Sequence, residues 1–145
     1  MKIEYATTTS ATPEQVWSVF SNIEGWSKWS SFFKESKWVS GSPWMPGSEA
    51  FIELAQPSFK VKVKTAEATA PNRASYTTTV MGTTAQQWFD FQAQPNGGTL
   101  MKTWIELSGP AVFFINEDMK KKGTALFAQW FDAMKAQAES LPKAS

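Results

Sequence analysis

The chain contains no cysteine and no histidine, and a single arginine, Arg73, among its 145 residues. Without cysteine there are no disulfides, no thiolate nucleophile and no zinc–thiolate site. Without histidine there is no Ser-His triad and no imidazole for acid–base work near neutral pH or for holding zinc, copper or haem. The carboxylates are scattered, with no metal-ligand spacing, so the expectation is no metal site and no cofactor. Any catalysis would fall to carboxylates, tyrosine, lysine, hydroxyls or backbone amides. Charge of either sign is also in short supply, since 14 lysine and arginine residues against 13 acidic ones leave a net +1. That balance provides no field to favour nucleic acid as a partner. Long apolar runs are missing too: no segment approaches the roughly 20 residues of a membrane span, and the opening Met1-Lys2-Ile3-Glu4 lacks a signal-peptide core. A cytoplasmic protein without integral membrane association is expected, and the oligomeric state is not legible.

What the chain has in excess is flat apolar surface, with 8 Trp and 11 Phe. Aromatic side chains dominate the energetics of both cores and ligand pockets. Residues Lys2 to Thr9 read as an opening strand. Thr12-Pro13-Glu14-Gln15 is a helix start, with Thr12 as N-cap, proline in the first turn and Gln15 closing a capping box. Val16, Trp17 and Phe20 form the apolar face of this short helix. A second short helix, from Asn22, carries Ile23, Trp26 and Trp29.

From Phe32 to Val39 the pattern is extended, and a Gly/Pro-rich loop follows from Gly41 to Gly47. In Ser48 to Leu54 and Phe59 to Lys64 apolar and charged residues alternate, and a loop Ala55 to Ser58 sets Glu53 opposite Lys60 and Glu49 opposite Lys64. One face of that hairpin is apolar and the other a solvated face of paired charges. A Thr-rich strand runs from Ser75 to Val80. Gln86 to Gln94 and Thr99 to Leu107 form a second hairpin, with Phe89, Phe91 and Ala93 on one face and Trp88 opposite Trp104 on the other. Pro110 starts a short turn, and Asn116 caps a long helix reaching to Leu141. Its apolar stripe is Met119, Leu126, Phe127, Trp130, Met134 and Leu141. Gly123 interrupts that stripe at a cost of roughly 1 kcal/mol of helix propensity, which points to a close approach by sheet or ligand.

In this order of elements, and in Ala11-Thr12-Pro13-Glu14-Gln15-Val16-Trp17, Trp26-x-x-Trp29, Gly41-Ser42-Pro43-Trp44-Met45-Pro46-Gly47, Pro71-Asn72-Arg73 and Gly97-Gly98-Thr99, the chain resembles the START-like helix-grip (SRPBCC) superfamily and its bacterial polyketide cyclase/dehydrase-like members. The resemblance implies an α+β fold over residues 1–145 as a single domain. In that fold a seven-stranded antiparallel sheet wraps around the long C-terminal helix, two short helices follow strand one, and a cavity lies between sheet and helix. It implies no common catalytic set.

The expected function is therefore binding or transport of a hydrophobic small molecule, such as a lipid, an isoprenoid or an aromatic polyketide-like compound. The expected cavity residues are Trp26, Trp29, Phe33, Trp44, Phe59, Val61, Phe89, Phe91, Met101, Phe113, Phe127 and Trp130. Trp44 and the Val112 to Ile115 segment are expected at its mouth. The alternative is an aromatase or cyclase, for which Glu67 and Tyr76 are the acid–base candidates. Strict alternation sends Glu67 inward, whereas a bulge in the surrounding Ala/Thr stretch returns it to solvent, and exposure is the expectation. A third reading is a protein-binding accessory module with Trp88 and Trp104 as contact patch.

Overall fold

The capping box forms as its residues require. In the computed structural model, which describes residues 2–55, 58–80 and 82–142, strand β1 (Lys2–Thr9) leads into helix α1 (Pro13–Ser21). The Gln15 N–H donates to Thr12 Oγ1 at 3.2 Å, and the Thr12 N–H donates to Gln15 Oε1 at 2.9 Å. At its other end α1 has neither glycine nor a basic side chain, and two indoles satisfy its last carbonyls. Trp26 Nε1 donates to the Phe20 carbonyl at 2.8 Å and Trp44 Nε1 to that of Ser21 at 2.9 Å. A 3-10 turn (Ile23–Gly25) and the one-turn helix α2 (Trp26–Trp29) complete this layer.

The remaining strands are β2 (Phe33–Ser40), β3 (Glu49–Leu54), β4 (Phe59–Thr69), β5 (Arg73–Val80), β6 (Thr83–Ala93) and β7 (Thr99–Ser108). They form a seven-stranded antiparallel sheet in the order β1-β7-β6-β5-β4-β3-β2. Successive strands are neighbours except at the closure, where β7 returns beside β1. The β3–β4 register is the expected one, Glu49 opposite Lys64 and Glu53 opposite Lys60; Gln56 and Pro57, at the centre of the expected connecting loop, lie outside the described residues. The charges nevertheless pair diagonally: Glu49 meets Lys62 at 3.2 Å and Glu53 meets Lys34 of β2 at 3.8 Å, while Lys60 Nζ lies 4.6 Å from the centre of the Phe51 ring. Strand twist brings one diagonal neighbour closer than the direct partner, and Lys62 holds the Glu49 carboxyl below its ordinary pKa.

Helix α3 (Glu117–Glu139), with Asn116 Oδ1 accepting the Met119 N–H at 2.9 Å, packs against β1, α1 and α2. Only its C-terminal half is gripped. Trp130, Phe131, Met134 and Ala138 are buried, whereas Met119 and Leu126, expected on the buried stripe, are 48% and 37% exposed. The short helices pack on the later turns of α3, and Met119 in its first turn is left half-exposed. Gly123 answers to the sheet: a Cβ there would stand 3.1 Å from Ile3 Cδ1 of β1. No helix among the described residues is long and apolar enough to cross a membrane.

Candidate functional site

Period-two alternation turns Phe89 and Phe91 of β6 and Met101 of β7 toward the helices, all fully buried. The space they face is divided in two. Beneath α1 it is solid: Phe20 stacks on Trp44 at 4.8 Å, contacts Phe89 at 4.6 Å and meets Phe91 edge-on at 5.3 Å. Beneath the middle of α3, between β2 and β7, the packing stops short and leaves a cavity of about 210 Å³.

Phe32, Phe33, Ile52 and Leu54 form the wall of this cavity from the α2–β2–β3 side, and Phe59, Val61 and Val63 the wall from β4. Ile105 closes it from β7, and Phe127 and Trp130 from α3. Phe59 is 44% exposed and marks the rim. None of the lining residues is charged; the polar ones are Tyr76, Thr78 and Gln87. Tyr76 Oη donates to Gln87 Oε1 at 3.1 Å, Gln87 Nε2 donates to Thr103 Oγ1 at 2.9 Å, and Thr103 Oγ1 donates to the Trp88 carbonyl at 2.8 Å. Burial pushes the Tyr76 phenol well above its ordinary pKa, so it stays neutral. Trp130 is 2% exposed, and its Nε1–H has no acceptor among the described residues. A larger depression of about 480 Å³ lies open on the convex face, but Lys2, Thr84, Gln86 and Glu106 on its walls suit water better than an apolar ligand.

The expected site residues are thus dispersed. Phe33, Phe59, Val61, Phe127 and Trp130 come together around the cavity. Trp26 and Phe89 are buried behind it, each in contact with the Trp130 ring at 5.2 and 5.3 Å. Phe91 and Met101 belong to the solid core, and Trp29 borders a separate surface depression beside Leu141. Phe113 and Phe114, in the 3-10 turn Pro110–Phe114, project into solvent at 91% and 81% exposure and are not among the cavity's lining residues. Trp44 is 8% exposed rather than at the mouth, because its left-handed backbone, φ 60°, turns the ring back onto α1.

The acid–base pair is also separated. The β4–β5 register shifts between Thr65 and Glu67, so that Glu67 lies opposite Ser75 on the convex side and is exposed, while Tyr76 is buried facing α3. This is the bulge reading of the sequence. Trp88 and Trp104 do stack on the convex face, centroids 5.7 Å apart, with Lys2 Nζ 5.5 Å and the Arg73 guanidinium 5.9 Å from the Trp104 ring. The sequence reading missed Phe32, Ile52, Leu54, Val63, Thr78, Gln87 and Ile105 as cavity residues. The signal was present, since extending the Phe89–Phe91 alternation back by two residues gives Gln87, and the Met101–Thr103 alternation forward gives Ile105.

A sheet curved against one helix, with an apolar, uncharged cavity between them, defines a helix-grip fold. The family model described as polyketide cyclase / dehydrase and lipid transport matches residues 1–139, and the chain belongs to that family. Among solved structures it is similar to a START superfamily protein from Mycobacterium smegmatis, with a TM-score of 0.80, 13% identity, and coverage of 97% of this chain and 99% of that one. It is equally similar to Ara h 8.0201, with a TM-score of 0.80, 14% identity and the same coverage of 97% and 99%. At these identities the likeness concerns the fold alone. No curated protein is significantly similar in sequence.

Proposed function

We propose that this protein reversibly binds a small hydrophobic molecule in the cavity between β2–β7 and α3. The observation that carries the reading is the cavity itself: about 210 Å³, lined by aliphatic and aromatic side chains without a charge. Such a space releases free energy when apolar surface enters it, roughly 25 cal/mol per Å² removed from water. Its volume sets the scale of the occupant. A dry apolar cavity of about 150 Å³ accepts benzene, whereas drug-sized ligands occupy about 300 Å³ or more. One or two fused rings, or a short isoprenoid, match the space; a diacyl lipid would need α3 or the β3–β4 hairpin to move outward. The lipid and polyketide chemistry in the family description supports an apolar ligand of this kind.

The aromatase or cyclase reading has less support here, because Glu67 and Tyr76 do not face a common space. The test is native mass spectrometry of the purified protein for a co-purified compound, together with titration of naphthalene followed by tryptophan fluorescence. Saturable one-to-one binding is expected. Absence of saturation up to the solubility limit of naphthalene would overturn the proposal.

A further inference from the structure

Between β7 and α3 the chain holds apolar side chains out in water. Phe113 and Phe114 are almost fully exposed, and Met119 in the first turn of α3 and Leu126, two turns on along the same side of the helix, are partly so. The backbone fixes this projection. Pro110 opens the 3-10 turn, the Val112 N–H donates to the Gly109 carbonyl at 3.2 Å, the Ile115 N–H donates to the Val112 carbonyl at 3.1 Å, and Asn116 then caps α3. At about 150–250 Å² per aromatic side chain, the two rings alone leave about 260–430 Å² of apolar surface in water. That is about a third to a half of the ~800 Å² that each partner buries in a standard interface, before Met119 and Leu126 are added.

Charge on the same turns selects the occupant. Glu117 and Asp118 open α3, and Lys120, Lys121 and Lys122 follow at once. Glu117 meets Lys120 at 3.8 Å and Asp118 meets Lys122 at 3.4 Å, but the acids and Lys122 are well exposed, so these pairs are weak and free to exchange. An anionic bilayer gains little from a turn that sets two carboxylates beside three ammonium groups. A second copy of the chain gains from both signs. When two such helix ends run antiparallel about a two-fold axis near Met119, the acids of each face the lysines of the other, and the contact is made twice. We propose that the protein forms a two-fold dimer through Phe113, Phe114 and the first turns of α3, with Glu117 and Asp118 of one protomer against the Lys120 to Lys122 run of its partner. Phe113, Phe114 and Met119 do not line the cavity, so the dimer does not rest on the binding reading.

The experiment is sedimentation velocity over a dilution series, with circular dichroism as the check on each variant's fold. The wild-type protein is expected to be dimeric by about 100 μM, since interfaces of standard size bind at micromolar Kd or tighter. The double variant Phe113→Ser with Phe114→Ser removes only exposed rings, so it should fold as wild type and weaken the dimer at least about tenfold. Two charge variants test the facing of acids to lysines: Glu117→Lys with Asp118→Lys, and Lys120→Glu with Lys121→Glu and Lys122→Glu. Each should be monomeric alone, by repulsion between like charges, and the two mixed should form a heterodimer. A wild-type protein that stays monomeric at about 100 μM would overturn the proposal, and Phe113-dependent binding of that monomer to phosphatidylglycerol vesicles would assign the surface to a membrane instead. A dimer that survives loss of both phenylalanines undiminished, or a charge-variant mixture no more dimeric than its components, would also overturn it. The wild-type measurement does not depend on any variant folding.

Discussion

Replacing Trp44 with alanine separates a core indole from a ligand-gating one, since a residue at a cavity mouth costs affinity and a residue in the core costs stability. Trp44 is 8% exposed, stacks on Phe20 at 4.8 Å, meets Trp38 edge-on at 5.2 Å and donates to the Ser21 carbonyl at 2.9 Å. A buried tryptophan removes about 150–250 Å² from water, which at about 25 cal/mol per Å² is about 4–6 kcal/mol. A compact unfolded state lowers that figure by about 10–40%, and the lost hydrogen bond adds about 1 kcal/mol. Trp44→Ala is therefore expected to destabilise the fold by about 3–6 kcal/mol, overlapping the range of about 3–5 kcal/mol for other aromatic truncations. Backbone strain does not alter the comparison, because alanine bears the same Cβ penalty at φ 60°. Glycine does not, so Trp44→Gly should be no less stable than Trp44→Ala despite glycine's greater freedom when unfolded. Urea unfolding measures this as a fall in midpoint at constant slope. A loss below about 1 kcal/mol, with naphthalene affinity weakened tenfold, would instead place Trp44 at the ligand site.

The Tyr76 phenol should make the fold sensitive to alkali. Burial raises its pKa above the ordinary 10.0, so above pH 10 the unfolded chain releases a proton that the native state keeps, and stability falls by about 1.4 kcal/mol per pH unit from this group. Tyr76→Phe should lack that component, and urea unfolding at pH 8 and pH 11 should show the gap between variant and wild type narrowing at the higher pH; a constant gap would contradict it. Two glycines should behave oppositely on substitution by alanine. At Gly98 the new Cβ would collide with the Thr9 carbonyl, which is backbone and cannot yield, so a loss of about 1–3 kcal/mol is expected. At Gly123 it would stand 3.1 Å from the mobile tip of Ile3, and the gain in helix propensity of up to about 1 kcal/mol should leave Gly123→Ala neutral or slightly more stable. Thermal melts of the two variants decide both signs.

Local chemistry makes most of the fold legible in the sequence. The Thr12 box, the Asn116 cap, the Pro110 turn, both hairpin registers and the Trp88–Trp104 pair all rest on interactions between residues close in sequence or related by strand alternation. The site was less legible, because a cavity is a failure of packing between distant elements, and inward-facing residues look alike whether they meet another side chain or a void. Phe91 and Phe33 carry the same signal in sequence, yet one fills the core under α1 and the other borders the cavity. Trp44 was misplaced for a different reason. A loop rich in glycine and proline announces a turn but not its direction, and the left-handed backbone at Trp44 and the orphan carbonyl of Ser21 set that direction. Glu67 turned on one extra residue, Ala66, whose bulge inverts the face of everything after it.

If the space under α3 is where the ligand goes, filling that space must exclude it. Val63, 4% exposed on the β4 wall, is replaced by tryptophan, and naphthalene is titrated into variant and wild type under the same conditions, with urea unfolding as the control. An indole projecting into a void regains contacts that the void had forfeited, so the unfolding midpoint should hold or rise while naphthalene affinity falls at least about tenfold. Undiminished naphthalene binding by a folded Val63→Trp protein would contradict the claim and place the ligand elsewhere on the molecule.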